Sequence, residues 1–101
     1  MAHKDLTSKA DFDAALATQG KYVLIYAYAG DVSPKAEEAA QKHAATTEAF
    51  KVDVDKYETA KAFFGITKTP TVVVYKDGKE VKKVEGMDEA GMSEIASIVS
   101  A

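Results

Sequence analysis

The sequence predicts an α/β fold in which a mixed central β-sheet is flanked by helices on both faces. Residues 23–29 form an almost unbroken apolar run, which is typical of a central strand buried on both faces. Helical segments separate the early strands, as parallel crossovers require, and two later strands form a hairpin. The length of 101 residues suits a single domain over residues 1–101.

Composition and charge exclude several classes of protein. Hydrophobic residues make up 47% of the chain and charged residues 29%, as is ordinary for a globular domain. The net charge of −3 argues against a nucleic-acid-binding protein, which needs a basic face. No apolar run approaches the ~20 residues of a membrane-spanning helix, and the first residues lack the apolar stretch of a signal peptide. We therefore expect a cytoplasmic protein with no nucleic-acid or membrane partner.

The residue types that carry catalysis or bind metals are scarce. There is no cysteine, which excludes disulfides, thiolate metal sites and iron–sulfur clusters. His3 and His43 have no evident ligand or carboxylate partner. Asp53 and Asp55 are interpreted as structural carboxylates, and Asp55 is expected to cap the next helix. We expect no catalytic residue, no metal and no cofactor.

The first third of the chain is predicted as strand, helix and strand. A weak strand is placed around residues 3–6. Ser8 and Asp11 have the spacing of a helix N-cap and a side chain that reaches back to it. Gly20 is predicted to end this helix, and residues 21–29 follow as the central strand.

The middle of the chain continues the alternation of helix and strand. Ser33-Pro34 suits a helix start, because serine caps well and proline lacks an N–H that has no partner there. This alanine-rich helix is predicted to run to about Ala45. Residues 50–55 alternate as a strand, and residues 56–64 form a short helix that Gly65 closes.

The last third is predicted as a hairpin and a helix. Residues 71–75 are β-branched and strand-like, Asp77-Gly78 is a hairpin turn, and residues 80–85 return as the second strand. A final helix carries one apolar face, made by Met92, Ile95, Ile98 and Val99.

This order of elements, with five local matches, resembles the thioredoxin family. The central strand ends in Tyr26-Ala27, and residues 51–55 are similar to the third strand of the family. Thr69-Pro70-Thr71 follows at the spacing of the family's cis-proline motif, residues 76–79 resemble its hairpin, and Gly86 matches the glycine after its last strand. The resemblance spans nearly the whole chain and implies the thioredoxin fold, with Pro70 in cis.

The chain departs from the family where the family does its chemistry. Without a gap, the family's Cys-Gly-Pro-Cys falls on Gly30-Asp31-Val32-Ser33. With a four-residue deletion, Pro34 matches a helix proline of the family and the dithiol turn is absent. Both alignments lack the two sulfurs. Leu24 stands where the family usually has a buried aspartate that moves protons for the thiol, so the chain is interpreted as naturally redox-inactive.

Loss of both sulfurs excludes thiol–disulfide exchange. This reaction needs a thiolate to attack and a second thiol to resolve the mixed disulfide. A serine hydroxyl at Ser33 supplies neither. We therefore expect a chain that is not an enzyme, with residues 30–33 as a vestigial active-site segment.

The resemblance implies a different use for the remaining groove. In the family, the residue before the cis-proline offers its backbone to an extended peptide, and this geometry needs no cysteine. The expected contact residues are Tyr28, Lys68, Thr69, Pro70, Gly86 and Met87, and Tyr28 and Met87 are expected to be exposed. They predict a module that binds an unknown protein or peptide.

Three alternatives stay open. The vacated site could bind a glutathione-like small molecule, or be reused by an enzyme, with Tyr28 or Ser33 activating or orienting the ligand. The chain could instead be a structural subunit or holdase. Small side chains on the predicted middle helix would also allow a second copy to approach closely, which leaves monomer or weak homodimer as the expected states. Those side chains are Ala36, Ala39, Ala40, Ala44 and Ala45.

Overall fold

The computed structural model describes residues 4–30, 38, 41–42, 46–86 and 89–99. Within these residues, five strands and three helices have defined bounds. In chain order they are β1 (Lys4–Asp5), α1 (Lys9–Leu16), β2 (Tyr22–Tyr28), β3 (Thr47–Asp53), α2 (Thr59–Phe64), β4 (Thr71–Lys76), β5 (Lys79–Glu85) and α3 (Glu89–Val99).

The strands form one mixed sheet in the order β1-β3-β2-β4-β5. β3 runs parallel to both β1 and β2, whereas β4 is antiparallel to β2 and β5 is antiparallel to β4. Ile25 of β2 lies opposite Phe50 on one side and Val73 on the other, so β2 is the middle strand. The predicted mixed sheet with residues 21–29 at its centre is therefore confirmed.

Apolar side chains cover both faces of this sheet. On one face Val23, Ile25 and Ala27 share a cluster with Phe12 of α1 and Phe64 of α2. On the other face, a second cluster joins sheet residues to α3, and it consists of Tyr26, Val72, Val74, Val84, Ile95 and Val99. Successive side chains of β2 enter opposite clusters because strand side chains alternate in direction. Helices on both faces are thus confirmed.

The start of α1 is capped as the sequence predicts, with one difference. The Ser8 Oγ accepts a hydrogen bond from the Asp11 backbone N–H at 3.2 Å. The Asp11 carboxylate accepts from the backbone N–H and the hydroxyl of Thr7, one residue before the cap, and these bonds lower its pKa. The helix ends at Leu16, so the prediction that Gly20 ends it is wrong, and Gly20 lies in the following turn with φ 82°.

The connection between β3 and α2 differs from its prediction. The strand begins at Thr47 and ends at Asp53, and the helix begins only at Thr59. Asp55 does not cap α2, because Glu58 holds that position without a side-chain hydrogen bond. The Asp53 carboxylate instead accepts from the backbone N–H groups of residues 55 and 56, at 3.0 and 3.3 Å, which holds the turn. Gly65 closes the helix with φ 67°, as predicted.

The hairpin and the last helix follow their predictions closely. Asp77 and Gly78 have φ values of 52° and 82°, the two positive values that a type I′ turn needs. In α3, Ile95 and Val99 are buried, whereas Ile98 is only partly buried. The Met92 side chain lies outside the described part of the structure.

Most of the predicted middle helix also lies outside the described residues. Glu38, Gln41 and Lys42 are helical, in agreement with a helix there. His3, His43 and the alanines of that helix are among the residues not described. Within the described ranges, no helix has both the length and the apolar character needed to cross a bilayer.

Gly91 fixes how closely α3 approaches the sheet. It is buried, and a Cβ atom there would lie 2.6 Å from Cγ1 and 2.8 Å from Cγ2 of Val84. The absence of a side chain therefore lets the helix pack directly on β5.

We expect Gly91→Ala to lower the free energy of unfolding by about 1–2 kcal/mol, because overpacking outweighs the ~1 kcal/mol by which alanine favours a helix. Urea denaturation measures the change. In a Val84→Ala background the clash is relieved, and the same substitution should be neutral or stabilising. A Gly91→Ala protein more stable than the parent would contradict this packing.

Candidate functional site

The candidate site lies where β2 ends and β4 begins. Ala27 and Thr71 form the last antiparallel pair between these strands, and Tyr28, which still pairs with Asp53 of β3, and Pro70 lie just beyond this pair. The peptide bond between Thr69 and Pro70 is cis. The sequence motif singled out above therefore lies at the end of the central strand.

Hydrogen bonds on both sides hold the segment that leads to Pro70. The Pro70 carbonyl accepts from the Gly86 N–H at 2.7 Å. The buried Thr71 donates its hydroxyl to the Lys68 carbonyl at 2.6 Å. One residue earlier, the Thr67 hydroxyl donates to the Glu85 carboxylate at 2.7 Å. Residues 67–70 are thus fastened to β4 and to the end of β5.

Thr69 is the exception within this fastened segment. It is exposed, and within residues 4–30, 38, 41–42, 46–86 and 89–99 neither its amide N–H nor its carbonyl has a hydrogen-bond partner. Backbone groups without a protein partner are tolerated at the surface because water can satisfy them. The same groups are available to a ligand that offers its own N–H and C=O.

A cavity of about 190 Å³ opens beside Thr69. Buried apolar side chains, Val54 and Ile66, contribute to its lining together with five polar residues. Those five are Asp55, Lys61, Thr67, Lys68 and Thr69. Thr69 therefore belongs to the hydrogen-bonded segment 67–70 and also lines this cavity.

Tyr28 is less exposed than the sequence predicts. It is half-buried, its ring lies 5.8 Å from that of Tyr26, and it packs against the cluster on the α3 face. Its carbonyl accepts from the Val54 N–H at 2.9 Å. The prediction of an exposed Tyr28 is wrong, because strand alternation directs it to the same core cluster as Tyr26.

The remaining predicted site residues fall into two groups. Gly86 is hydrogen-bonded to Pro70, and Gly30 is exposed with φ 96° just after β2. Asp31, Val32, Ser33 and Met87 lie outside the described residues. The choice between the two alignments of residues 30–33 therefore stays a prediction.

Several contributors were missed by sequence reasoning. Most of them meet through contacts between separate elements. They are Thr67, Thr71 and Glu85, which hold the segment, and Val54, Asp55, Lys61 and Ile66, which line the cavity. Thr71 is the one with a local signal, because a hydroxyl three residues after a carbonyl can bond back to it.

The chemistry of the site lacks the family's thiols and its buried acid. The chain contains no cysteine, and Leu24 packs against the cluster that contains Tyr26. In the described part of the chain, no three or more histidine, aspartate or glutamate side chains form a group that could hold a metal ion.

The sheet order, the helices on both faces and the cis-proline before β4 together define a thioredoxin fold. The family model for thioredoxin matches residues 3–100, and the chain belongs to the thioredoxin family. Thioredoxin-2 of Saccharomyces cerevisiae is 31% identical over 101 residues, 93% of this chain and 96% of its own.

Two further relatives agree with this assignment. Thioredoxin of Staphylococcus aureus is 32% identical over 81 residues, which cover 76% of this chain and 78% of that protein. The X-ray structure of Fasciola hepatica thioredoxin superposes with a TM-score of 0.80 at 31% identity, covering 94% of this chain and 97% of that one. This chain is a cysteine-free member of the thioredoxin family.

The bond between Thr67 and Glu85 should contribute to the free energy of unfolding. A double-mutant cycle with Thr67→Ala, Glu85→Ala and the combined variant, measured by urea denaturation, isolates the pair. We expect a coupling of roughly 0.5–1 kcal/mol, because the acceptor is charged but the pair is exposed. Additive single substitutions would show that the bond does not hold the segment in solution.

Proposed function

We propose that this chain is a redox-inactive thioredoxin-family protein that binds an extended segment of another polypeptide beside Thr69 and Pro70. The observation that carries the proposal is Thr69, an exposed residue whose backbone has no hydrogen-bond partner in the described structure. The carbonyls of its two neighbours are both bonded. Two parts of the proposal, the missing redox chemistry and the binding mode, have separate support.

The absence of thiol chemistry rests on the sequence. Disulfide exchange proceeds by thiolate attack on a sulfur and passes through a mixed disulfide. A chain without cysteine has neither an attacking nor a resolving sulfur. Leu24 agrees with this, because a buried carboxylate with no proton to transfer is costly and an apolar side chain is not.

The binding mode rests on the state of the Thr69 backbone. Extended peptides bind by adding a strand whose N–H and C=O groups pair with exposed backbone, while side-chain pockets give selectivity. Bonds at Lys68, Pro70 and Gly86 fix the geometry of the segment before a ligand arrives. A segment already ordered loses little conformational entropy on binding, which favours affinity.

Nothing in the described residues favours the alternatives to the same degree. Tyr28, which a small-molecule site would use, packs against the core on one side. The cytoplasmic location, the monomer or weak homodimer, and the structural or holdase role stay predictions.

The proposal is tested with a random 12-residue peptide library displayed on phage and panned on the purified protein. A selected peptide is then synthesised, and its Kd is measured by calorimetry. Thr69→Arg should weaken binding at least tenfold, because the long side chain blocks the backbone. The matched control is Thr59→Arg, at an exposed threonine on α2 that does not line the cavity, and it should leave the Kd unchanged.

Strand addition also predicts how the peptide responds to N-methylation. Alternate residues of a strand direct their N–H groups to the same edge. Methyl groups on the peptide amides that face the Thr69 backbone should abolish binding. Methyl groups on the intervening amides, which point away from the protein, should be tolerated. Panning without enrichment, equal binding by Thr69→Arg, or a Kd insensitive to methylation would each overturn the proposal.

A further inference from the structure

We propose that the cavity beside Thr69 binds an acidic side chain of the partner, so that the protein selects acidic peptides. This inference rests on the proposed function, because Thr69 borders both the backbone that pairs with the peptide and the cavity. It adds the chemical class of the partner, which strand pairing alone does not determine.

The position and size of the cavity suit one side chain of an added strand. A peptide paired with the Thr69 backbone passes the mouth of the cavity, and strand alternation directs every second side chain towards the protein. The volume of about 190 Å³ is several times the roughly 30 Å³ that one water molecule occupies in the liquid. The cavity therefore has room for a carboxylate side chain. Ile66, which keeps a small exposed fraction, offers apolar surface to the methylene groups of that side chain.

The charges that line the cavity favour an anion. Two lysines, Lys61 and Lys68, line the cavity with one acidic residue, Asp55, although the whole chain carries a net charge of −3. Neither lysine ammonium has an ion-pair or hydrogen-bond partner among the described residues. Glu85, which lies nearby, accepts the hydrogen bond from Thr67. Two ammonium groups therefore stay available to a ligand.

Lys61 is not needed to bond the carbonyl of Gly65 at the end of α2. It lies in the last turn of α2, where a cation can stabilise the terminal carbonyls. The Gly65 carbonyl at this end, however, already accepts from the Lys83 ammonium at 3.0 Å. The charge of Lys61 is thus in excess of what that carbonyl requires.

The test compares peptide selection by differently charged proteins. The phage library is panned on the parent, on Lys61→Glu/Lys68→Glu, and on Lys9→Glu/Lys79→Glu. The last variant makes the same change of net charge at two exposed lysines outside the cavity lining. Parent and control should enrich peptides with aspartate or glutamate at one fixed position, whereas the cavity variant should enrich lysine or arginine there.

Affinities of single peptides give the quantitative outcome. Changing the selected acidic residue of the peptide to its amide should weaken binding to the parent several-fold. The Lys61→Glu/Lys68→Glu protein should bind the acidic peptide roughly tenfold or more weakly than the parent does. Asp55→Asn removes the opposing charge and should tighten binding of the acidic peptide. These differences should shrink at high salt, because exposed charges are screened.

The two proposals fail in different ways. Peptides that require Thr69 but show no acidic preference, and that bind the Lys61→Glu/Lys68→Glu protein equally well, would overturn the acidic selection and leave strand addition standing. Peptides that tolerate Thr69→Arg would overturn both. Thermal denaturation of each variant confirms that a loss of binding does not come from unfolding.

Discussion

The burial of β2 on both of its faces is the constraint on which the rest of the structure depends. β2 pairs with β3 on one side and β4 on the other, and its side chains enter two separate apolar clusters. This burial fixes the register, because a slip of one residue would move every side chain to the opposite face. The end of β2 is therefore a rigid point, and the Thr69–Pro70 segment lies against it.

The site combines a fixed frame with one open position. Hydrogen bonds from Gly86 and Thr71 engage the carbonyls on either side of Thr69, and Thr67 is bonded to Glu85. None of these bonds involves a sulfur atom. A thioredoxin scaffold can therefore lose its thiols and keep the arrangement of the segment before β4. Under the proposed function, shape and charge are the properties through which this protein acts.

Sequence reasoning succeeded where the signal was local. The apolar run of β2, the Asp77-Gly78 turn and the Gly65 helix end all depend on residues next to one another, and all three are confirmed. The family motif also located the cis peptide bond at Thr69–Pro70.

The remaining features depend on contacts between distant parts of the chain. Tyr28 was expected to be exposed, but the side on which the sheet packs decides its burial. The late start of α2 follows from Asp53, whose carboxylate holds the intervening turn. The cavity beside Thr69 brings together the residues just after β3, helix α2 and the loop before β4. A sequence pattern within one segment contains no information about these tertiary contacts.

The most direct test of this account is native-state amide hydrogen exchange of the protein without ligand, followed residue by residue by NMR. The account predicts that the Thr69 amide exchanges close to the rate of an unprotected peptide, while the Gly86 amide, bonded to the adjacent Pro70, is protected. A Thr69 amide as well protected as that of Gly86 would contradict it, because the backbone offered to a partner would already be occupied.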